Sequence, residues 1–257
     1  MCELFGISAA RPVRAEELLR EFFSHSVRHP NGWGLATFPY GEVSIEKEPV
    51  QASKSAYLKE RLCGRVDTST LLAHIRLATM GSMEYGNCHP FLRQDNRGRR
   101  WVLIHNGTIF DYPPLAPYQY RQTGGTDSER VLLYLVEQID QKQRELSRAL
   151  EPEERCVLLD GLVSAMAPGN KLNLLFYDGE LMYAHTNYAS SLYVKQMEGA
   201  ALFATVPLDA GGWRPMPFTA FCAYRAGEQV YQGQPHGAEY FVKEEDMRYL
   251  FAAYSSL

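Results

Sequence analysis

Residues 171–186, KLNLLFYDGELMYAHT, read as two apolar strands joined at Asp178-Gly179. Asp-Gly between two such runs is a strong local signal for a tight antiparallel hairpin. Strands of the same kind follow at SLYVKQ (191–196), ALFATV (201–206), TAFCAY (219–224) and QVYQG (229–233), with turns predicted at Glu198-Gly199 and Ala226-Gly227. Upstream, CELFGIS (2–8), WGLATF (33–38), VSIEKE (43–48), TLLAHIR (70–76) and RWVLIHN (100–106) are also strand-like. Upstream of residue 171, helical spacing marks three places. Val13 to Val27 carries Leu18, Leu19, Phe22 and Phe23. A longer helix opens at Thr126 with the stripe Val131, Leu132, Leu135, Val136 and Ile139, and a third covers Pro152 to Met166. Without regular βαβ alternation, this order predicts an α+β fold with antiparallel sheets, and one domain over residues 2–257.

The chain has 257 residues, 46% of them apolar and 22% charged, the balance of a globular domain large enough to bury a core unaided. A net charge of −4 does not suit a protein that neutralises nucleic-acid phosphates. The start, MCELFGISAARP, has neither a basic segment nor the apolar run of a secretory signal, and no apolar run approaches the ~20 residues that span a bilayer. The five cysteines (Cys2, Cys63, Cys88, Cys156, Cys222) are scattered and have no CxxC spacing, which points to a reducing, cytoplasmic setting rather than a disulfide framework or zinc site.

Four places carry chemistry, and each also has an ordinary reading. Cys2 becomes the amino terminus if the initiator Met is removed, and then joins a thiol to an α-amine that titrates near neutrality and can act as a base. It can equally be a strand cysteine. HIRLATMG (74–81) ends a strand with Arg76 and Thr79; arginine suits a carboxylate, or is a surface residue. In LIHNG (103–107), Asn106 and Gly107 offer a side-chain and a backbone donor to an oxyanion, or form a hairpin turn. In GGTDSE (124–129), Thr126 and Glu129 fit a capping box, and Asp127 is either a first-turn acid or the partner of an ammonium group.

Taken in order, the N-terminal Cys, HxRxAT, HP, HNG and TDSE resemble the glutaminase domain of the class II (N-terminal nucleophile) glutamine amidotransferases. The resemblance covers about residues 2 to 140 by motif and extends through ATVPLDAGGW (204–213), which is similar to the late sheet of the stand-alone members. HPNGWG (29–34) is similar to that subgroup's DGWG, with Asn31 in place of the aspartate. Leu77 and Met80 stand where the sugar-phosphate amidotransferases commonly carry Trp and His.

The resemblance implies a four-layer αββα sandwich of two antiparallel sheets, the Ntn-hydrolase fold. It implies Cys2 as nucleophile, forming a γ-glutamyl thioester with its own α-amine as base, and Asn106 with Gly107 as the oxyanion hole. It further implies Arg76 on the substrate α-carboxylate, Asp127 on the α-ammonium, and Thr79 and His89 lining or supporting the pocket. The expected ligand is L-glutamine or a γ-glutamyl small molecule, with a separate ammonia-accepting subunit as a possible partner, and no cofactor or metal. Two rivals remain open: hydrolysis of a γ-glutamyl amide in a thiol metabolite, and a non-catalytic amino-acid-binding subunit. The other histidines read as structural, with His74 and His105 as hydrogen-bonding strand residues. Cys88-His89 is too short for a metal motif, Arg97, Arg99 and Arg100 read as a solvated basic turn, and KEEDMRYLFAAY (243–254) as an amphipathic helix.

Overall fold

The computed structural model describes residues 2–78 and 81–242; Met1, Thr79 and the expected helix at 243–254 lie outside them. In chain order the elements begin with β1 (Glu3–Arg14), α1 (Glu16–Ser24), β2 (Trp33–Thr37), β3 (Ser44–Glu48), α2 (Ala56–Arg61), β4 (Asp67–Ile75), β5 (Phe91–Gln94) and β6 (Arg100–Thr108). Then come α3 (Asp127–Leu146), α4 (Pro152–Met166), β7 (Lys171–Tyr177), β8 (Met182–His185), β9 (Tyr193–Met197), β10 (Ala200–Ala204), β11 (Trp213–Pro215), β12 (Cys222–Arg225) and β13 (Glu228–Gln232). One sheet has the order β11-β9-β10-β1-β4-β2-β3 and the other β13-β12-β8-β7-β6-β5. Every pairing is antiparallel, as the run of short strands predicts.

The two-residue period of the strands sorts side chains into three buried layers. In β1, Phe5, Ile7 and Ala9 face α1 and α2, where they meet Leu19, Phe22 and Leu58, while Leu4 points into the space between the sheets. In β6, Trp101 and Leu103 lie under α3 and α4, while Val102 and Ile104 face the other sheet; in β7, Leu172, Leu174 and Phe176 take the helix side and Leu175 the sheet side. Strands buried on both faces read as continuous apolar runs, which is why CELFGIS and KLNLLFY lack clean alternation. Helices, sheet, sheet, helices is the expected αββα stack.

Local differences have local causes. The first predicted helix is shorter, because β1 continues to Arg14 and the chain tightens into a 3₁₀ turn at His25–Arg28. In the β7–β8 hairpin, Asp178 already pairs with Leu181 (N–H to carbonyl, 3.2 Å), so the turn is centred on Gly179-Glu180, with Gly179 at φ +91°. Asp178 instead uses its Oδ1 to accept the N–H groups of Glu180 and Leu181 at 2.9 and 2.7 Å. Its other oxygen holds Arg155 of α4 at 2.7 Å, so the hairpin is pinned to the helix layer. Arg99, expected to be solvated, is drawn into this group and donates to the Asp178 carbonyl at 3.1 Å.

Candidate active site

The site forms where the ends of β1, β4, β6 and β7 meet between the sheets. Cys2 precedes β1 with the parity of Leu4, Arg76 follows β4 with that of Leu72, Asn106 shares that of Ile104, and Lys171 that of Leu175. The same alternation that builds the interlayer core therefore directs all four into it.

Cys2 is half-buried, and its Sγ lies 3.4 Å from both the backbone N–H and the carbonyl oxygen of Leu77. Burial pushes the thiol above its usual range, opposed by the Leu77 N–H and by the positive charges of Arg76 and Lys171. A thiol held protonated needs a base before it can attack.

Arg76 is buried at the exit of β4. Asn31 and Gly32 continue the β2–β4 ladder around it: the Arg76 N–H donates to the Gly32 carbonyl (2.8 Å) and the Asn31 N–H to the Arg76 carbonyl (3.1 Å). Asn31 Oδ1 then accepts the Ala78 N–H at 2.9 Å, which sets the direction of the following loop. The Arg76 guanidinium donates to the carbonyls of Ser82 and Gly81 at 2.9 and 2.8 Å.

Asn106 and Gly107 lie inside β6, paired with Asn173 and Leu172 of β7; the hairpin-turn reading of Asn-Gly is overturned, because the strand continues to Thr108. Gly107 is required by close approach, since a Cβ there would collide with the Lys171 carbonyl and the His105 ring. Asn106 is buried, with its Oδ1 unpartnered among the described residues.

Asp127 is the first residue of α3, and its carboxylate ties that helix to β6: Oδ2 accepts the Ile109 N–H (2.7 Å) and Oδ1 the Ser128 N–H (2.9 Å). His105 reinforces the joint, its Nε2–H donating to the Lys171 carbonyl (3.1 Å) while Nδ1 accepts from the Ser128 hydroxyl (3.0 Å). Only half of the expected capping box forms. Thr126 Oγ1 accepts the Glu129 N–H, but the Glu129 carboxylate reaches further back, to the N–H groups of Thr123 and Gly124 at 2.8 and 2.9 Å.

His89 sits behind the cluster, buried against His74 with ring centroids 4.1 Å apart. Both its ring nitrogens lack partners among the described residues, and burial pushes it well below the usual histidine range. His74 donates to the His105 carbonyl at 3.3 Å and is pushed down to about 3 by burial. Thr79 lies outside the described residues.

Sequence reasoning missed Lys171. It is 3% exposed, with Nζ 4.4 Å over the Tyr188 ring, and burial pushes it down to about 8 while Cys2 acts to raise it. The available signal was a lysine opening a strand that is otherwise apolar apart from Asn173 and buried on both faces.

A cysteine thiol at a strand end, a buried guanidinium, an amide-bearing strand and a helix-initial carboxylate all belong to one antiparallel sandwich. The model of the class II glutamine amidotransferases matches residues 1–198, and the chain belongs to that family, whose members are enzymes. It is 36% identical over 188 residues to the uncharacterized protein MJ1515 of Methanocaldococcus jannaschii; the match takes in 73% of this chain and 51% of that one, so it spans about half the relative's length. Among solved structures it is similar to a predicted glutamine amidotransferase from Pseudomonas aeruginosa (TM-score 0.59, 22% identity, 90% of this chain and 100% of that one). It is also similar to the glutamine phosphoribosylpyrophosphate amidotransferase of B. subtilis (TM-score 0.66, 17% identity, 91% and 49%). At these identities the two structures speak for the Ntn-hydrolase fold. No helix among the described residues is long and apolar enough to cross a membrane.

Proposed function

We propose that the chain hydrolyses the side-chain amide of L-glutamine through Cys2. The observation that carries this reading is the placement of Cys2 Sγ against the Leu77 backbone, one residue beyond the buried Arg76, in the space that Asn106 also faces. With the α-amine of Cys2 freed by loss of Met1, that amine takes the thiol proton. The sulfur adds to the amide carbon, and the oxyanion accepts hydrogen bonds from the Asn106 side chain and the Gly107 backbone N–H. Collapse breaks the carbon–nitrogen bond, ammonia leaves with the proton, and a γ-glutamyl thioester remains. Water then attacks the thioester, glutamate departs and the thiol is restored.

Arg76 takes the substrate α-carboxylate and Asp127 its α-ammonium, while His89, a neutral buried ring, supports the pocket wall from behind. The five free cysteines support a cytoplasmic setting, and the released ammonia either passes to a separate acceptor subunit or is itself the end product. The reading is tested by incubating the protein with a γ-electrophilic glutamine analogue and measuring intact mass. A single adduct on protein lacking Met1, absent in Cys2→Ala, is expected. Processed protein that takes no adduct from the glutamine analogue but cleaves γ-glutamyl dipeptides would replace glutamine with a γ-glutamyl amide as substrate.

A further inference from the structure

Asn87 was not among the residues singled out by motif, yet it is 2% exposed and joins the two halves of the site. Its Nδ2 donates to the Ser82 carbonyl at 3.0 Å, the same oxygen that receives Arg76 Nη1 at 2.9 Å. Its Oδ1 accepts the Gly125 N–H at 2.6 Å, two residues before Asp127. One planar amide thus spans from the arginine's loop to the residues leading into α3, using a donor on one side and an acceptor on the other.

The surroundings are shaped to this amide. Gly81 has φ +76°, and a Cβ there would meet Asn87 Nδ2 at 2.9 Å; a Cβ on Gly124 would collide with Asn87 Oδ1. The neighbouring Thr123 and Gly124 N–H groups are held by Glu129, so the Gly125 N–H is the backbone donor that this segment offers to the loop carrying Ser82, alongside the close packing of Gly86 on Gly124. Asn87 itself is fixed by its N–H to the Glu84 carbonyl at 3.0 Å.

We infer that Asn87 is a positioning residue that sets the separation between Arg76 and Asp127, and with it the selection of a zwitterionic α-amino acid over molecules bearing only one of the two charges. This rests on the reading that Arg76 and Asp127 hold the α-carboxylate and α-ammonium. A zwitterion must satisfy a cation and an anion at a fixed spacing, so movement of either loop misaligns one of them. A substrate with a single charge can shift to follow its partner.

The test compares glutamine with γ-aminobutyramide, which lacks the carboxylate, and glutaramate, which lacks the ammonium, in wild type, Asn87→Ala and Asn87→Asp. Wild type is expected to favour glutamine over both analogues. Asn87→Ala is expected to lower kcat/KM for glutamine about tenfold or more, chiefly through KM, with the analogues changed less than about threefold. Asn87→Asp keeps the acceptor for Gly125 but turns a carboxylate oxygen toward the Ser82 carbonyl, so it should show the same selective loss. It also serves as the informative variant if the alanine protein does not fold. Equal losses on all three substrates, or none on glutamine, would overturn the role of Asn87. A wild type with no preference for glutamine would overturn the reading of Arg76 and Asp127 itself, and the inference with it.

Discussion

The sulfur of Cys2 touches the backbone of Leu77 through both its N–H and its carbonyl, each at 3.4 Å, so the proposed nucleophile is gripped by the segment that also carries Arg76. The thiol is then held at a fixed place relative to the guanidinium. Cys2→Ala should abolish turnover and adduct formation while leaving the thermal midpoint close to wild type, since a half-buried sulfur contributes little packing. Cys2→Ser should retain the fold and turn over far more slowly. Full turnover by either variant, measured as glutamate release, would remove Cys2 from the chemistry.

Because burial raises the thiol, the α-amine of Cys2 is the group expected to set the pH profile. Inactivation by the glutamine analogue should rise as pH climbs through about 8, where such an amine loses its proton, and then level off. A rate that keeps climbing into the alkaline range of a buried thiol would show that no amine assists.

Asn106→Ala should lower kcat by about 10²–10³ with a small effect on KM, the pattern of a lost oxyanion donor. Gly107→Ala acts differently. Its methyl collides with β7 backbone, so stability should fall along with activity, and denaturant midpoints separate the two cases.

Lys171 is a buried cation whose charged state the fold disfavours. Its pKa moves from 10.5 to about 8, so between those values the unfolded chain binds more protons and stability rises with pH; below about 8 the full cost, about 3 kcal/mol, is present. Lys171→Met should therefore be more stable than wild type near neutrality, with the difference shrinking toward about pH 10. The same variant should alkylate Cys2 more slowly, having lost a nearby positive charge. A stability difference that does not change with pH would refute the buried-cation account.

His74 and His185 are both pushed down to about 3 by burial, against an ordinary value of 6.5. Over that interval the unfolded chain takes up protons that the folded chain refuses. Stability should accordingly fall as pH drops from about 6.5 toward 3, and His185→Gln should flatten this slope. An unchanged acid limb in the variant would place the acid sensitivity elsewhere.

Much of the fold was legible because strand periodicity and turn residues act locally. The helix at Pro152–Met166 and the turn at Ala226-Gly227 fall where the sequence places them. The short strands β5 and β11 were not legible, since four and three residues carry too little pattern and are defined by their partners. In the site, motif order led to Cys2, Arg76, Asn106, Gly107 and Asp127, which lie in or next to β1, β4, β6 and α3. Lys171, Asn87 and the reach of Glu129 to Thr123 and Gly124 escaped because each depends on which segments become neighbours. That Asn106-Gly107 is strand rather than turn was likewise decided by the length of β7 beside it.

The position of β1 has a consequence for how the chain is made. Strand β1 has β4 on one side and β10, at Ala200–Ala204, on the other. Its second neighbour is thus translated nearly two hundred residues after it, and the family match at residues 1–198 stops just short of that neighbour. A nascent chain cut at residue 198 should expose one edge of β1 and associate or be degraded, while a chain carried past β13 should unfold in a single transition. The strand that follows Cys2 therefore completes its hydrogen bonding only once residues 200–204 have been made.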